Sequence, residues 1–284
     1  MKAVPLVGMI ILLMAKNGMA EPLPNSTNCP SERFYIESLF TGEYQARVEP
    51  DFSCFVTVDK ANMNGSLIVD TRDKNDWENV HISGSINLPQ RTLLNATHLK
   101  NRPLLVVDKG INPNKNAQLC GLAKEQGFDQ LQILIGGISS WKLSGHSVNG
   151  SPLDVAQLYL VDQNHFLEAA FRNDITIIAD SKSYSFLKRV LPADTVLKQK
   201  PKKETWNKAV LSTLDTAGYQ QALFPVVLVS ENAEALRLQK QDWKNLQGVF
   251  LLNASIQDLV VTLTANEQMQ QKRKQIPDRY RCRG

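Results

Sequence analysis

The chain has 284 residues, 43% of them apolar, which is enough for two packed domains at roughly 100 to 200 residues each. Its formal charge of +4 is gathered in basic runs at Lys198–Lys203 and Lys272–Arg283, without the interleaved aromatics of a nucleic-acid platform, so no nucleic-acid partner is expected. The sequence holds neither a Cys-x-x-Cys redox pair nor a zinc-ligand cluster, so no metal and no cofactor are expected.

In chain order, Met1-Lys2 is a short basic start, Ala3 to Ala15 is apolar, and Gly18-Met19-Ala20 places small residues before a cut at Glu21. Residues 1–20 therefore read as a secretory signal peptide, too short to span a bilayer. No second apolar stretch follows, so no membrane span is expected after cleavage. A short leader on a compact, linker-poor chain reads as bacterial, which makes the periplasm the expected address. Residues 21–54 form an N-terminal extension containing Cys29 and Cys54.

Export permits disulfides, and the four cysteines allow three full pairings. A Cys29–Cys54 bridge is favoured because it would staple the extension, contributing ~3 kcal/mol in the chain-entropy model. Cys120 falls in the apolar-periodic run Leu119-Cys120-Gly121-Leu122-Ala123 and reads as a small packed hydrophobe. Cys282 lies in the tail.

The strand Leu67–Asp70 leads into Thr71-Arg72 and puts charge at the carboxyl edge of a sheet, where α/β folds place their ligand crevice. Asp70 and Arg72 could equally form a structural ion pair there. His81 begins a turn through Gly84 into Ile86–Leu88 and reads as a hydrogen-bonding turn residue at the same crevice edge. Pro103–Val107 is a second buried strand, and it ends in Asp108. The strand Leu131–Ile135 turns at Gly136-Gly137 into a helix anchored by Trp141.

Together, the segments Leu67–Arg72, His81–Pro89 and Gly136–Lys142 resemble the rhodanese (sulfurtransferase) family over residues 55 to 148. The resemblance implies a mostly parallel sheet with helices on both faces. It also implies a cysteine thiolate at the end of the central strand, cradled by backbone N–H groups at a helix mouth. Asp108 stands where that thiol belongs, and a carboxylate cannot carry sulfane sulfur. The loop after it is about two residues longer than the family pattern and contains Pro113, which removes a donor and biases Asn112 away from helical dihedrals. No catalytic residue is therefore assigned. The loop residues Lys109, Gly110, Asn112, Lys115 and Asn116 read as a binding surface.

The remainder repeats the plan. Ile177–Lys182 matches Leu67–Arg72 in pattern, Pro225–Ser230 matches Pro103–Asp108, and Val249–Ile256 matches Leu131–Ile138. A second rhodanese-like copy is implied, with Ser230 at the thiol position and no base beside it. The predicted organisation is residues 1–20 leader, 21–54 extension, 55–150 first domain, 151–265 second domain and 266–284 basic tail. Turn formers at 143–152 predict the linker. His146 and the helical His165 read as solvated, the run Lys198–Lys203 as a loop, and Leu263–Lys274 as a polar helix.

Two functions follow from these readings. One is an inactive tandem rhodanese-like protein, an α/β scaffold that binds another envelope protein. The other is a periplasmic sulfurtransferase or thiol-redox enzyme working through a non-standard cysteine such as Cys120.

Overall fold

The computed structural model describes residues 49–274 apart from 64, 203, 218–222 and 239–241. The leader, Cys29, Cys282 and the tail beyond Lys274 lie outside the described residues.

The first domain runs β1 (Phe55–Val56), β2 (Leu67–Asp70), α1 (Lys74–Asn79), β3 (Val80–His81), β4 (Ile86–Asn87), α2 (Gln90–Asn95), β5 (Leu104–Val107), α3 (Pro113–Glu125), β6 (Leu131–Leu134), α4 (Gly137–Leu143) and β7 (Asn149–Gly150). The second runs α5 (Pro152–Val155), β8 (Leu160–Val161), α6 (Gln163–Phe171), β9 (Thr176–Ala179), α7 (Ser181–Val190), β10 (Leu197–Gln199), α8 (Trp206–Ala217), β11 (Val226–Val229), α9 (Ala233–Leu238), β12 (Val249–Leu252) and α10 (Ile256–Lys274).

Each domain is built on a five-stranded, all-parallel sheet, in the order β4-β2-β5-β6-β1 in the first and β10-β9-β11-β12-β8 in the second. Taken strand by strand, the two orders are the same topology. The central strands Leu-Leu-Val-Val and Val-Val-Leu-Val are buried at every position, because helices cover both faces and both sets of alternating side chains need apolar partners.

Side chains on β5 show this division. Leu104 and Val106 pack with Leu93 of α2 and Leu119, Cys120 and Ala123 of α3, while Leu105 and Val107 pack with Ile138 and Trp141 of α4. In the second domain, Val227 and Val229 meet α6 and Leu187 of α7, while Val226 and Leu228 meet Ala209 and Val210 of α8 and Leu236 of α9.

Several expectations change. The predicted linker contains β7, which pairs antiparallel with β3 and so ties residues 149–150 to the first domain. The run at Lys198–Lys203 begins inside β10, an edge strand held by β9, and is not all loop. The polar helix starts at Ile256, so the tail assigned to 266–284 begins within α10.

The expected Cys29–Cys54 bridge is overturned, because Cys54 is bonded to Cys120 with a Cα separation of 5.9 Å. The end of the extension folds as a 3-10 turn, Phe52–Cys54, against α3. Asp51 N–H donates to the Ala117 carbonyl at 3.1 Å, and Lys124 reaches the Asp51 carboxylate at 2.8 Å. That contact geometry, not proximity in sequence, chooses the cysteine partner.

Candidate functional site

The site lies where β2 and β5 end. Asp108 follows β5 and is 9% exposed. One carboxyl oxygen accepts the Gly110 N–H at 2.9 Å, and the other accepts from Asn116 Nδ2 at 2.8 Å. Burial raises the pKa of this carboxyl above its ordinary value, against those two hydrogen bonds. The side chain thus engages one backbone donor of its own loop, Gly110, and the Asn116 amide of α3.

The glycine pair explains how the loop is held. Ile138 N–H donates to the Asp108 carbonyl at 2.9 Å. A Cβ on Gly137 would lie 2.2 Å from that carbonyl oxygen, and one on Gly110 would lie 2.3 Å from the Gly136 carbonyl carbon. Gly136 and Gly137 also adopt φ of 69° and 55°, open to glycine at little cost.

Asp70 and Arg72 form a buried bidentate pair, with Nε to Oδ1 at 3.0 Å and Nη2 to Oδ2 at 2.6 Å. Arg72 also donates to the Val80 carbonyl, tying β2 to β3. Both charges are therefore spent inside the fold. His81 lies on β3, stacked on Trp77 at 4.7 Å, with Nδ1 2.8 Å from the Trp77 carbonyl.

The loop 109–116 turns toward the second domain. Ile111 is fully buried and belongs to that domain's core, beside Phe166, Val229 and Phe250. Pro113 starts α3, where its missing N–H costs nothing. Asn114 N–H donates to Asp174 Oδ1 of the second domain at 2.7 Å, and Lys115 pairs with Glu168 of α6 at 2.9 Å. Asn116 links Asp108 to Gln90, whose Nε2 donates to its Oδ1 at 2.8 Å.

Between the domains the loop lines a cleft of about 200 Å³ with Arg72, Asp76, Gln90, Lys109 and His165. Lys109 is 3.9 Å from Asp76, and the buried Asn112 Oδ1 has no hydrogen-bond partner.

His165 departs from its solvated reading. Its Nδ1 lies 2.5 Å from Asp162 Oδ2, and this hydrogen bond raises the imidazole's pKa against the opposing effect of burial. Burial works against ionisation of Asp162 too, but His165 outweighs it and holds the carboxyl below its usual range. Asp162 also caps α6 by accepting the Asn164 and His165 N–H groups.

At the second strand end, Ser230 Oγ accepts the Asn232 N–H at 3.2 Å. Asp180 lies one residue beyond the register position of Asp70, which Ala179 takes, so the expected match slips by one; it accepts Glu231 N–H at 2.7 Å and Ser183 N–H at 2.9 Å, capping α7. Among the described residues no group of three His, Cys, Asp or Glu side chains gathers as a metal site would, and no helix is long and apolar enough to cross a membrane.

Sequence reasoning missed Ile111, Asn114, Asp162 and Asp174 as site residues. Ile111 alone left a trace, as a single apolar residue within Lys109-Gly110-Ile111-Asn112-Pro113-Asn114.

Residues 57–144 match the family model of the rhodanese-like domain. The chain is 44% identical over 78 residues to the thiosulfate sulfurtransferase GlpE of Shewanella oneidensis, a match covering 26% of this chain and 73% of that protein. Among solved structures, the rhodanese-like domain of the Alr3790 protein from Anabaena is 25% identical, covering 31% of this chain and 68% of that chain at a TM-score of 0.28. The 3-mercaptopyruvate sulfotransferase SseA of Escherichia coli is 15% identical, covering 70% of this chain and 97% of that one at a TM-score of 0.26.

Proposed function

The chain belongs to the rhodanese-like family, and from that premise we propose that it is an exported, non-catalytic member that binds another envelope protein through the cleft between its domains. The observation that carries this reading is Asp108, whose carboxyl stands at the position the resemblance gives to the thiol and holds the Gly110 N–H and the Asn116 amide. Ser230 at the corresponding strand end bonds the Asp180 carboxylate, which the Glu231 and Ser183 N–H groups already engage. The cleft-lining Lys109 supplies a charge with which a protein partner could pair. The apolar leader at residues 1–20 supports export to the periplasm.

The likeness to a thiosulfate sulfurtransferase keeps a second reading in view, sulfur transfer through a non-standard cysteine. Cys120 is fully buried and its sulfur is bonded to Cys54, which weighs against it as the nucleophile.

One experiment separates the two. The purified chain is assayed for sulfur transfer from thiosulfate with and without reductant, and crosslinked in intact cells before mass spectrometry. Absence of turnover, with a crosslinked partner lost on Lys109→Glu, supports the binding role. Turnover that survives Asp108→Ala and vanishes in Cys120→Ser overturns it.

A further inference from the structure

Asp174 lies in the turn between α6 and β9 and is fully buried, yet only one of its oxygens has a partner. That partner is the N–H of Asn114, the second residue of α3 in the other domain. Asn112, the residue placed to cap this helix, makes no side-chain capping bond. The cap of α3 therefore comes from the second domain, and separating the domains would remove it. The same turn contributes Arg172, whose carbonyl accepts from Asn114 Nδ2 at 3.2 Å and whose guanidinium meets Gln118 at 3.4 Å.

We propose that Asp174 is a proton-dependent latch between the two domains, closed on α3 while protonated and released as it ionises, so that the cleft beside Asp108 opens with rising pH.

The physical cause is the balance of groups around this carboxyl. From α3 it faces Lys115, and from α6 and its end it faces Glu168 and Arg172. Lys115 is already paired with Glu168, and Arg172 lies 3.9 Å from the same carboxylate, so neither cation is dedicated to Asp174. The helix N-terminus favours a charged cap. Against that, Oδ2 would carry charge in a dry site with no donor, and burial is the larger effect. Burial accordingly pushes the carboxyl up to about 8, with the Asn114 bond and the nearby cations opposing. When exposed, the group returns toward its ordinary value of 3.8, so deprotonation favours the open arrangement. The latch stands whether or not the cleft receives a partner, because its test reads domain opening and not binding.

The test follows the Asn114 amide of the ¹⁵N-labelled full chain by NMR across pH, with solution X-ray scattering at about pH 6 and about pH 9.5. The expected result is one step in the Asn114 resonance centred near 8, a larger radius of gyration at the higher pH, and neither change in Asp174→Asn. A step centred near the ordinary 3.8 overturns the proposal. So does a constant radius, or an expansion that persists in Asp174→Asn. If that variant fails to fold, the wild-type titration and scattering still decide.

Discussion

Lys115 and Glu168 meet at 2.9 Å across the domain boundary, the lysine from the helix that follows Asp108 and the glutamate from the second domain's α6. Their side chains are 25% and 10% exposed, so water screens the pair only in part. A double-mutant cycle with Lys115→Ala and Glu168→Ala, read by urea unfolding, is expected to give a coupling of about 0.5 to 1 kcal/mol, weakened by salt. A coupling of zero would show that the pair contributes nothing to holding the domains together.

Ile111→Ala is expected to cost about 2 to 4 kcal/mol, because it removes a fully buried side chain from a packed core. Although residue 111 belongs to the first domain, the loss should appear as faster hydrogen exchange in β11 and β12 of the second. Normal protection in those strands would contradict the packing.

The Cys54–Cys120 bridge closes a separation of 66 residues, for which the chain-entropy model gives about 4 kcal/mol. Reduction, or Cys54→Ser together with Cys120→Ala, should lower the unfolding midpoint and loosen residues 51–56 first. Mass spectrometry after alkylation without reductant should leave both cysteines unlabelled. Labelling of Cys120 in the native protein would remove the bridge from the account.

His165 has its pKa raised above 6.5 by Asp162, so the folded chain holds this proton more tightly than the unfolded one. The resulting stability is fully present below pH 6.5 and declines as pH rises through the folded value. His165→Gln should abolish that component of the pH dependence, and the wild-type imidazole resonances should titrate above 6.5. Titration below 6.5 would contradict the Asp162 contact.

The strands were legible because a parallel strand buried on both faces is an uninterrupted apolar run. Leu104–Val107, Val226–Val229 and Val249–Leu252 stand out on that ground, while residues 67–69, 133–134 and 177–179 carry shorter runs. Strand β10 did not, since Leu-Lys-Gln carries no such run and owes its conformation to bonds from β9. Asp108 could be placed at the strand end, but its contact with Asn116 depends on how α3 is aimed. The disulfide was misassigned because Cys54 and Cys120 are distant in sequence and adjacent only once α3 packs on the 3-10 turn. Asp174 gave no signal, because the helix it caps belongs to another domain.

Ile111 means that the two halves of the duplication are packed into one another. A chain cut near residue 151 would leave one fragment displaying a bare isoleucine at its crevice mouth and the other with a hole of one side chain. Mixed together, the fragments have a reason to reassemble with the same pairing. The repeat has become a lock and its key.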